Sequence, residues 1–287
     1  MSAPAESAHA LSLVGARVLV TRAQEDQEGL ALQLRARGAT VLAFPCIEFA
    51  PPEDPGPLDA ALSRLIDAPR LFASIAFTSP HAVNRFVARL RALGADPHAL
   101  LASLVVGAAG DGTARALAAE GVSSIIPSQG AGAEPLARAL LDRFRDSGLS
   151  LTASRVLLPQ AAESSPGLAE ALRAAGLAVE PVALYRTCAV RAVAHAHEAA
   201  HAALRAGQID VITFASGSAA RGFAQIFGVD AARIAALSAI VCMGSSCAEV
   251  ARGLGFTVAA TGTAGLVSLV DAVEACYAAR LLAGAAS

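Results

Sequence analysis

Hydroxyl side chains recur in this sequence where a short apolar run passes into a helical pattern. Two such junctions are Phe77-Thr78-Ser79-Pro80 and Phe214-Ala215-Ser216-Gly217, and two more are the glycine turns Gly110-Asp111-Gly112-Thr113 and Gly244-Ser245-Ser246. A Ser or Thr at such a point caps the first helical turn, which is a purely structural role. The unpaired N–H groups of that turn also bind anions. Because four comparable junctions occur, the pattern predicts crevices for an anionic ligand at the carboxyl ends of parallel strands.

Two other motifs suggest different chemistry, and both are weaker. Gly107-x-x-Gly110-x-Gly112 lacks the spacing of a dinucleotide fingerprint, and a Walker loop is excluded because the chain contains no Lys. His197-Glu198-Ala199-Ala200-His201 matches the zinc-protease pattern, in which two His on one helix face bind the metal. No His follows His201 to act as a third ligand. We interpret the segment as an exposed, Ala-rich connector helix, so no metal site is predicted.

Composition limits the classes of protein to which the chain can belong. Hydrophobic residues make up 55% and charged residues 16% of the 287 residues, which is enough for two packed domains. The net charge is −2 and basic runs are absent, so nucleic acid is not a predicted partner. Five cysteines without a Cys-x-x-Cys pair indicate reduced, buried thiols in a cytoplasmic protein. Signal-peptide features and long apolar runs are also absent, so no membrane contact is expected.

The secondary structure follows a repeating pattern of strand and helix. Short apolar runs, such as residues 18–21, 74–77, 156–158 and 211–214, alternate with segments of helical periodicity. Runs buried on both faces and joined by helices are typical of parallel sheets of the doubly wound kind. The fold class is therefore predicted to be α/β.

An internal duplication divides the chain. The strand pattern at Val18 recurs at Val156, the junction at Phe77 recurs at Phe214, and the glycine turn at Gly110 recurs at Gly244. These matches keep the same order and are separated by 134 to 138 residues. The chain is therefore predicted to contain two copies of one α/β unit. Extended segments before the Pro-rich residues 51–57 and around Tyr185 occupy equivalent places, which predicts two crossings between domains.

Five segments together give the chain a family resemblance. They are residues 18–22, 77–83, 110–117, 182–187 and 211–216, and their order and spacing resemble those of uroporphyrinogen-III synthases from about Val18 to Tyr277. The resemblance implies two similar domains, each a parallel sheet flanked by helices, joined by two extended linker strands. It implies one discontinuous domain of residues 1–48 with 187–287 and one inserted domain of residues 49–186.

The resemblance also implies an activity. Hydroxymethylbilane would lose water and close to a macrocycle with ring D inverted, without a metal or organic cofactor. By motif position Tyr185 is implied as the catalytic residue, since a phenol is a neutral donor at pH 7 that can assist departure of the hydroxyl. The implied substrate-binding residues are Arg22, Ser79, Gly112, Thr113, Ser216 and Ser246. Gln160 and Ala215 differ from the residues common in the family, so contacts at these two positions are expected to differ.

The expected partners follow from the same resemblance. Hydroxymethylbilane is the implied small-molecule substrate, a transient contact with hydroxymethylbilane synthase is expected, and the chain is expected to be a monomer. The alternative function is a non-enzymatic two-domain protein that closes on an anionic small molecule. The presence of Tyr185 and of both glycine turns favours the enzyme.

Overall fold

The chain folds into two compact units. The computed structural model describes residues 12–123, 125–128, 133–148, 150–191, 194–263 and 265–285. One unit combines the chain up to Phe49 with the chain from Cys188 onward, and the other is Ala50–Thr187. The boundaries implied by the family resemblance, 48/49 and 186/187, differ from these by one residue. We call the two units the discontinuous unit and the inserted unit.

Strands and helices alternate along the described residues. The strands are β1 (Arg17–Val20), β2 (Thr40–Ala43), β3 (Ile47–Ala50), β4 (Ser74–Phe77), β5 (Val105–Ala108), β6 (Ile125–Pro127), β7 (Arg155–Ala161), β8 (Ala178–Ala189), β9 (Val211–Phe214), β10 (Ala239–Cys242) and β11 (Val258–Thr261). The α-helices are α1 (Gln27–Ala36), α2 (Gly56–Asp67), α3 (Pro80–Ala92), α4 (Pro97–Ala102), α5 (Gly110–Ala119), α6 (Ala133–Asp146), α7 (Gly167–Ala174), α8 (Glu198–Arg205), α9 (Gly217–Phe227), α10 (Ala231–Ala235), α11 (Ser245–Gly253) and α12 (Gly265–Ala285). None of the helices described is long and apolar enough to cross a membrane.

The discontinuous unit is built on a parallel sheet of order β11-β10-β9-β1-β2. Alternate residues of its strands enter two separate cores. Leu19 packs with residues of α8, α9, α10 and α11 on one face. Val18 and Val20 pack with residues of α1 and α12 on the other face. Each strand is therefore buried on both sides, which explains why its sequence is a continuous apolar run rather than an alternating one.

The inserted unit contains most of the second sheet, whose order is β3-β8-β7-β4-β5-β6. Pairing is parallel between β7 and β8, between β4 and its neighbours β7 and β5, and between β5 and β6. Val156 and Leu158 of β7 pack with residues of α6 and α7 on one face. Phe77 at the end of β4 meets Phe86 of α3 edge to face, with ring centroids 5.3 Å apart. The α/β fold class with helix-flanked parallel sheets is confirmed.

The two copies of the sequence repeat exchange strands. Written from one edge, the strand orders are β2-β1-β9-β10-β11 and β8-β7-β4-β5-β6. By position in the repeat, β1 corresponds to β7, β2 to β8, and β9–β11 to β4–β6. The first sheet therefore takes two strands from one copy and three from the other, and the second sheet takes two and, with its edge strand β3, four. The chain changes unit twice, once within β3 and once within β8.

One glycine sets a close approach inside the discontinuous unit. A Cβ atom on Gly222 of α9 would lie 2.1 Å from the backbone oxygen of Cys46. The same oxygen accepts a hydrogen bond from the backbone N–H of Val190 at 3.1 Å. Gly222 thus lets α9 pack directly on the segment that carries this hydrogen bond.

Candidate functional site

The strand order locates a crevice in each unit. In a doubly wound sheet, ligands bind at the carboxyl ends of the strands where the order reverses. This point lies between β7 and β4 in one sheet and between β9 and β1 in the other. The junctions singled out by sequence, after Phe77 and after Phe214, follow β4 and β9 respectively.

In the inserted unit the reversal point contains a cavity of about 320 Å³. Its polar lining consists of Thr78, Gln160, Ser164 and Ser165, and small or apolar residues complete it. The first residues of α5 and α6, Gly110 and Ala133, also lie in its wall. Among the residues described, the lining combines hydroxyls, an amide and helix N-termini, and it includes no charged side chain. Such a wall can bind anions through neutral donors.

Tyr185 lies within the inserted unit, and its contact Ser79 directly follows Thr78 of the cavity lining. Its side chain is 5% exposed, and its hydroxyl is 3.2 Å from the Oγ of Ser79. The ring meets His81 edge to face, with centroids 6.2 Å apart. The guanidinium carbon of Arg85 lies 5.3 Å from the ring centroid, a cation–π distance. The backbone oxygen of Tyr185 accepts a hydrogen bond from Ala162 at 2.8 Å, which anchors β8 at this point.

Ser79 has two roles in this arrangement. Its Oγ accepts a hydrogen bond from the backbone N–H of Ala82 at 3.1 Å, so it caps α3. The same oxygen contacts Tyr185, and either hydroxyl can be the donor. The cap therefore holds the serine where its Oγ hydrogen-bonds the phenol of Tyr185. Sequence predicted the cap and the tyrosine, and the structure brings the two together.

The glycine turn after β5 differs from the prediction in the exposure of its residues. Gly110 has a φ of +74° and donates its backbone N–H to the Oγ of Ser128 at 3.1 Å. Gly112 is partly exposed, whereas Thr113 is only 2% exposed. Burial of Thr113 does not support the direct substrate contact expected of its hydroxyl. The backbone of Gly112 is the more accessible part of this turn.

In the discontinuous unit the predicted residues follow the ends of β1, β9 and β10. Ser216 caps α9 by accepting a hydrogen bond from Ala219 at 3.2 Å, and Ser246 is exposed in the first turn of α11. Arg22 contacts the carboxylate of Asp26 at 3.3 Å. Within the part of the chain that the structure describes, the buried Nε of Arg22 has no hydrogen-bond partner. An unused buried donor is costly, so Arg22 is well suited to pair with a carboxylate.

Two buried threonines, which sequence reasoning missed, lock this reversal point. Thr21 donates to the backbone oxygen of Thr213 at 2.7 Å, and Thr213 donates to the backbone oxygen of Leu19 at 2.9 Å. The two side chains are 0% and 1% exposed. They join β1 from one copy to β9 from the other, directly beside Arg22. A threonine directly after the first apolar run and one inside the second were the available signals.

The histidine motif is packed differently from the exposed helix expected. His197 ends a short 3-10 turn, and α8 begins at Glu198. His201 is half-buried and stacks on Phe227 and Phe44, with ring centroids 5.4 and 6.1 Å apart. No group of three or more potential metal ligands occurs among the residues described. His201 is therefore a packing residue of the apolar core.

Two doubly wound units, joined where the chain crosses in β3 and β8, define a two-domain α/β protein. The family model of uroporphyrinogen-III synthase HemD matches residues 28–267. A uroporphyrinogen-III synthase of Synechococcus elongatus is 30% identical over 233 residues, covering 79% of this chain and 82% of that protein. The chain belongs to the uroporphyrinogen-III synthase family.

Other relatives agree with this assignment. A porphyrin biosynthesis protein HemD of Ruminiclostridium josui is 28% identical over 261 residues, which are 90% of this chain and 48% of that protein. The chain thus spans about half the length of this relative. Uroporphyrinogen III synthase structures from Thermus thermophilus and Helicobacter pylori share the fold, with TM-scores of 0.56 and 0.57. Their identities are 21% and 14%, and each alignment covers 91% of this chain and 98% or 99% of the other.

Proposed function

We propose that this chain is a uroporphyrinogen-III synthase that converts hydroxymethylbilane to the type III macrocycle. The observation that carries the proposal is the hydroxyl pair of Tyr185 and Ser79 beside a crevice of neutral donors. In the reaction the hydroxymethyl C–O bond breaks and the oxygen leaves as water after gaining a proton. The resulting electrophilic carbon is attacked by the substituted carbon of ring D, and the spiro intermediate reopens and closes with that ring inverted.

Tyr185 is the proposed proton donor to the leaving oxygen. Its hydroxyl contacts Ser79. The proton that the unsubstituted carbon of ring D loses in the final ring closure balances the proton given to the leaving oxygen and can restore the phenol. Burial of the ring between β8 and α3, with Arg85 against its face, fixes the direction of the hydroxyl. A positioned donor of this kind is the arrangement that general acid catalysis requires.

The proposed role of the crevices is to fold the substrate. A linear tetrapyrrole with eight carboxylates closes unaided to the wrong isomer, so control of its conformation is the main task. In the inserted unit we propose that the N–H groups and hydroxyls at Ser79 and Gly112 bind carboxylates. In the other unit we propose the same role for Arg22, Ser216 and Ser246. Thr113 is proposed to act only if the first turn of α5 shifts on binding, because its hydroxyl is buried in this structure.

We further propose that the reaction needs no metal or organic cofactor, and that the enzyme acts as a monomer in the cytoplasm. A transient contact with hydroxymethylbilane synthase would shorten the time during which the unstable substrate is free. Each of these properties is one that the family resemblance implies for this chain.

The test is an isomer assay. Hydroxymethylbilane is generated enzymatically, mixed with the protein, quenched, oxidised and separated into type I and type III uroporphyrins. We expect type III to dominate, with or without EDTA. Type I alone would show that the protein does not catalyse the reaction, as the non-enzymatic alternative function requires. Loss of activity with EDTA and recovery with zinc would contradict the proposed cofactor-free reaction.

A further inference from the structure

Two cysteines lie together at the ligand end of the discontinuous unit. Cys242 is the last residue of β10, and Cys247 is the third residue of α11. Both side chains enter the same apolar core, where they are 0% and 7% exposed. The thiol of Cys247 donates to the backbone oxygen of Phe214, which ends β9, at 3.4 Å. The backbone N–H of Met243, next to Cys242, donates to the same oxygen at 2.9 Å. The pair therefore lies directly beneath the turn that carries Ser246.

The two thiols are chemically unequal. A hydrogen bond from Cys242 lowers the pKa of Cys247, and although burial opposes this effect, the backbone N–H of Met243 adds to it. The same hydrogen bond raises the pKa of Cys242, together with burial and repulsion by Cys247 and against a smaller effect of Arg252. The first turn of a helix also favours a thiolate. Cys247, in the first turn of α11, is therefore the thiol placed to ionise and act as the nucleophile, with Cys242 as its neighbour.

Two other thiols offer a contrast. Burial raises the pKa of Cys46, which is 0% exposed, and partial burial raises that of Cys276. No thiol partner contributes to either shift. An inert thiol of this kind is what the composition predicted for all five cysteines.

We propose that Cys242 and Cys247 are a redox-active dithiol that a hydroperoxide converts into an intrachain disulfide. The thiolate of Cys247 attacks one peroxide oxygen, the O–O bond breaks, and Cys247 becomes a sulfenic acid while hydroxide (or alkoxide) leaves. Cys242 then attacks the sulfenic sulfur, and the second oxygen leaves with the proton of Cys242 as water. The hydroxide (or alkoxide) released first takes up the proton that Cys247 lost when it ionised. Two thiols lose two electrons in total, and one peroxide is reduced.

The disulfide changes the local structure because of its length. An S–S bond measures about 2.05 Å, shorter than any thiol hydrogen bond. Its formation must draw the first turn of α11 toward the end of β10, and Ser246 moves with that turn. This consequence rests on the proposed function, in which Ser246 binds a substrate carboxylate. Oxidation is then expected to lower synthase activity on the order of tenfold or more, and dithiothreitol restores it.

A mass measurement tests the dithiol independently of activity. Trypsin cleaves after Arg233 and Arg252, so both cysteines fall in one peptide, residues 234–252, while the other three cysteines lie in different peptides. After hydrogen peroxide treatment and alkylation of free thiols, we expect this peptide to lack two hydrogens and to carry no alkyl group. Dithiothreitol should return both thiols. An alkylated, reduced peptide after peroxide treatment would overturn the proposal.

Alanine variants assign the two roles. Cys242→Ala should leave Cys247 to overoxidise to a sulfinic acid, whereas Cys247→Ala should leave Cys242 unmodified. Cys276→Ala is the matched control and should form the disulfide as the wild type does. Equal oxidation of every cysteine would contradict a specific pair. Formation of the disulfide with an unchanged isomer ratio and rate would contradict the proposed effect of oxidation on Ser246. If the protein has no synthase activity, the mass measurement still tests whether the disulfide forms.

Discussion

At the scale of single residues, the surroundings of Tyr185 distinguish it from an ordinary sheet tyrosine. Three contacts hold it: the hydroxyl to Ser79, the ring edge to His81 and the ring face to Arg85. All three partners lie on α3 or at its N-cap, and each is within about one helical turn of the next along the sequence. One helix therefore both caps its own N-terminus and orients the proposed proton donor.

Replacement of the hydroxyl tests this role. Tyr185→Phe keeps the ring and its contacts with His81 and Arg85, so fold and ligand affinity should be nearly unchanged. Formation of the type III isomer should slow by roughly 10²-fold or less, because the leaving group is already labile. The ratio of type III to type I product is the most informative measurement, since slow turnover lets spontaneous closure compete.

The other tyrosine provides a matched control. Tyr277 is 7% exposed, and its hydroxyl donates to the backbone oxygen of Val14 at 3.5 Å. Tyr277→Phe should therefore cost about 0.5–1.5 kcal/mol of stability at most and leave the isomer ratio unchanged. Equal behaviour of the two variants would mean that Tyr185 is only a strand residue, and that catalysis depends on the crevice donors.

At the scale of elements, the helix caps combine stability with function. Ser79 caps α3, and Asp96 caps α4 by accepting from the backbone N–H of His98 at 3.0 Å. Ser79→Ala and Asp96→Ala should each lower the free energy of unfolding by about 1 kcal/mol, measured by urea denaturation. Only Ser79→Ala should also reduce the type III fraction, because it removes the partner of Tyr185. A wild-type isomer ratio in Ser79→Ala would limit Ser79 to capping.

The close packing of α9 on the backbone of Cys46 depends on Gly222. Gly222→Ala places a methyl group against the backbone oxygen of Cys46, which cannot move without loss of its bond to Val190. We expect destabilisation by about 1–3 kcal/mol or more. Gly253→Ala is the control, since a Cβ there meets nothing within 4 Å and Ala favours a helix. Similar unfolding midpoints for the two variants would contradict the close packing of α9.

At the scale of the whole molecule, the exchange of strands makes the two units unequal. The inserted unit is continuous in sequence, whereas the other needs both ends of the chain. Residues 50–187 should therefore fold alone, with a cooperative thermal transition followed by circular dichroism. Residues 50–148 keep β4, β5 and β6 but lack β7, the neighbour of β4, and should remain unfolded. Cooperative folding of the shorter fragment would contradict the importance of the exchanged strands.

Much of this architecture could be predicted from sequence, because apolar runs and capped junctions are local signals. The α/β class, the repeat and the position of Tyr185 all came from such signals. The pairing of β1 with β9 could not, since a parallel strand gives no local indication of its neighbour. Burial of Thr113, stacking of His201 and the contact of Cys242 with Cys247 likewise depend on which side of a helix meets the core. The family resemblance supplied roles for residues but not these environments.

Exchange of strands also delays the folding of one unit on the ribosome. β2 ends at Ala43, whereas β9, the neighbour of β1, begins only at Val211. At ~5–20 residues per second, roughly 10–30 s separate their synthesis, a period in which the inserted unit is completed. Until β9 is synthesised, the nascent β1 and β2 expose apolar side chains on both faces. A chaperone that shields these first strands would therefore matter more for this half of the enzyme than for the other.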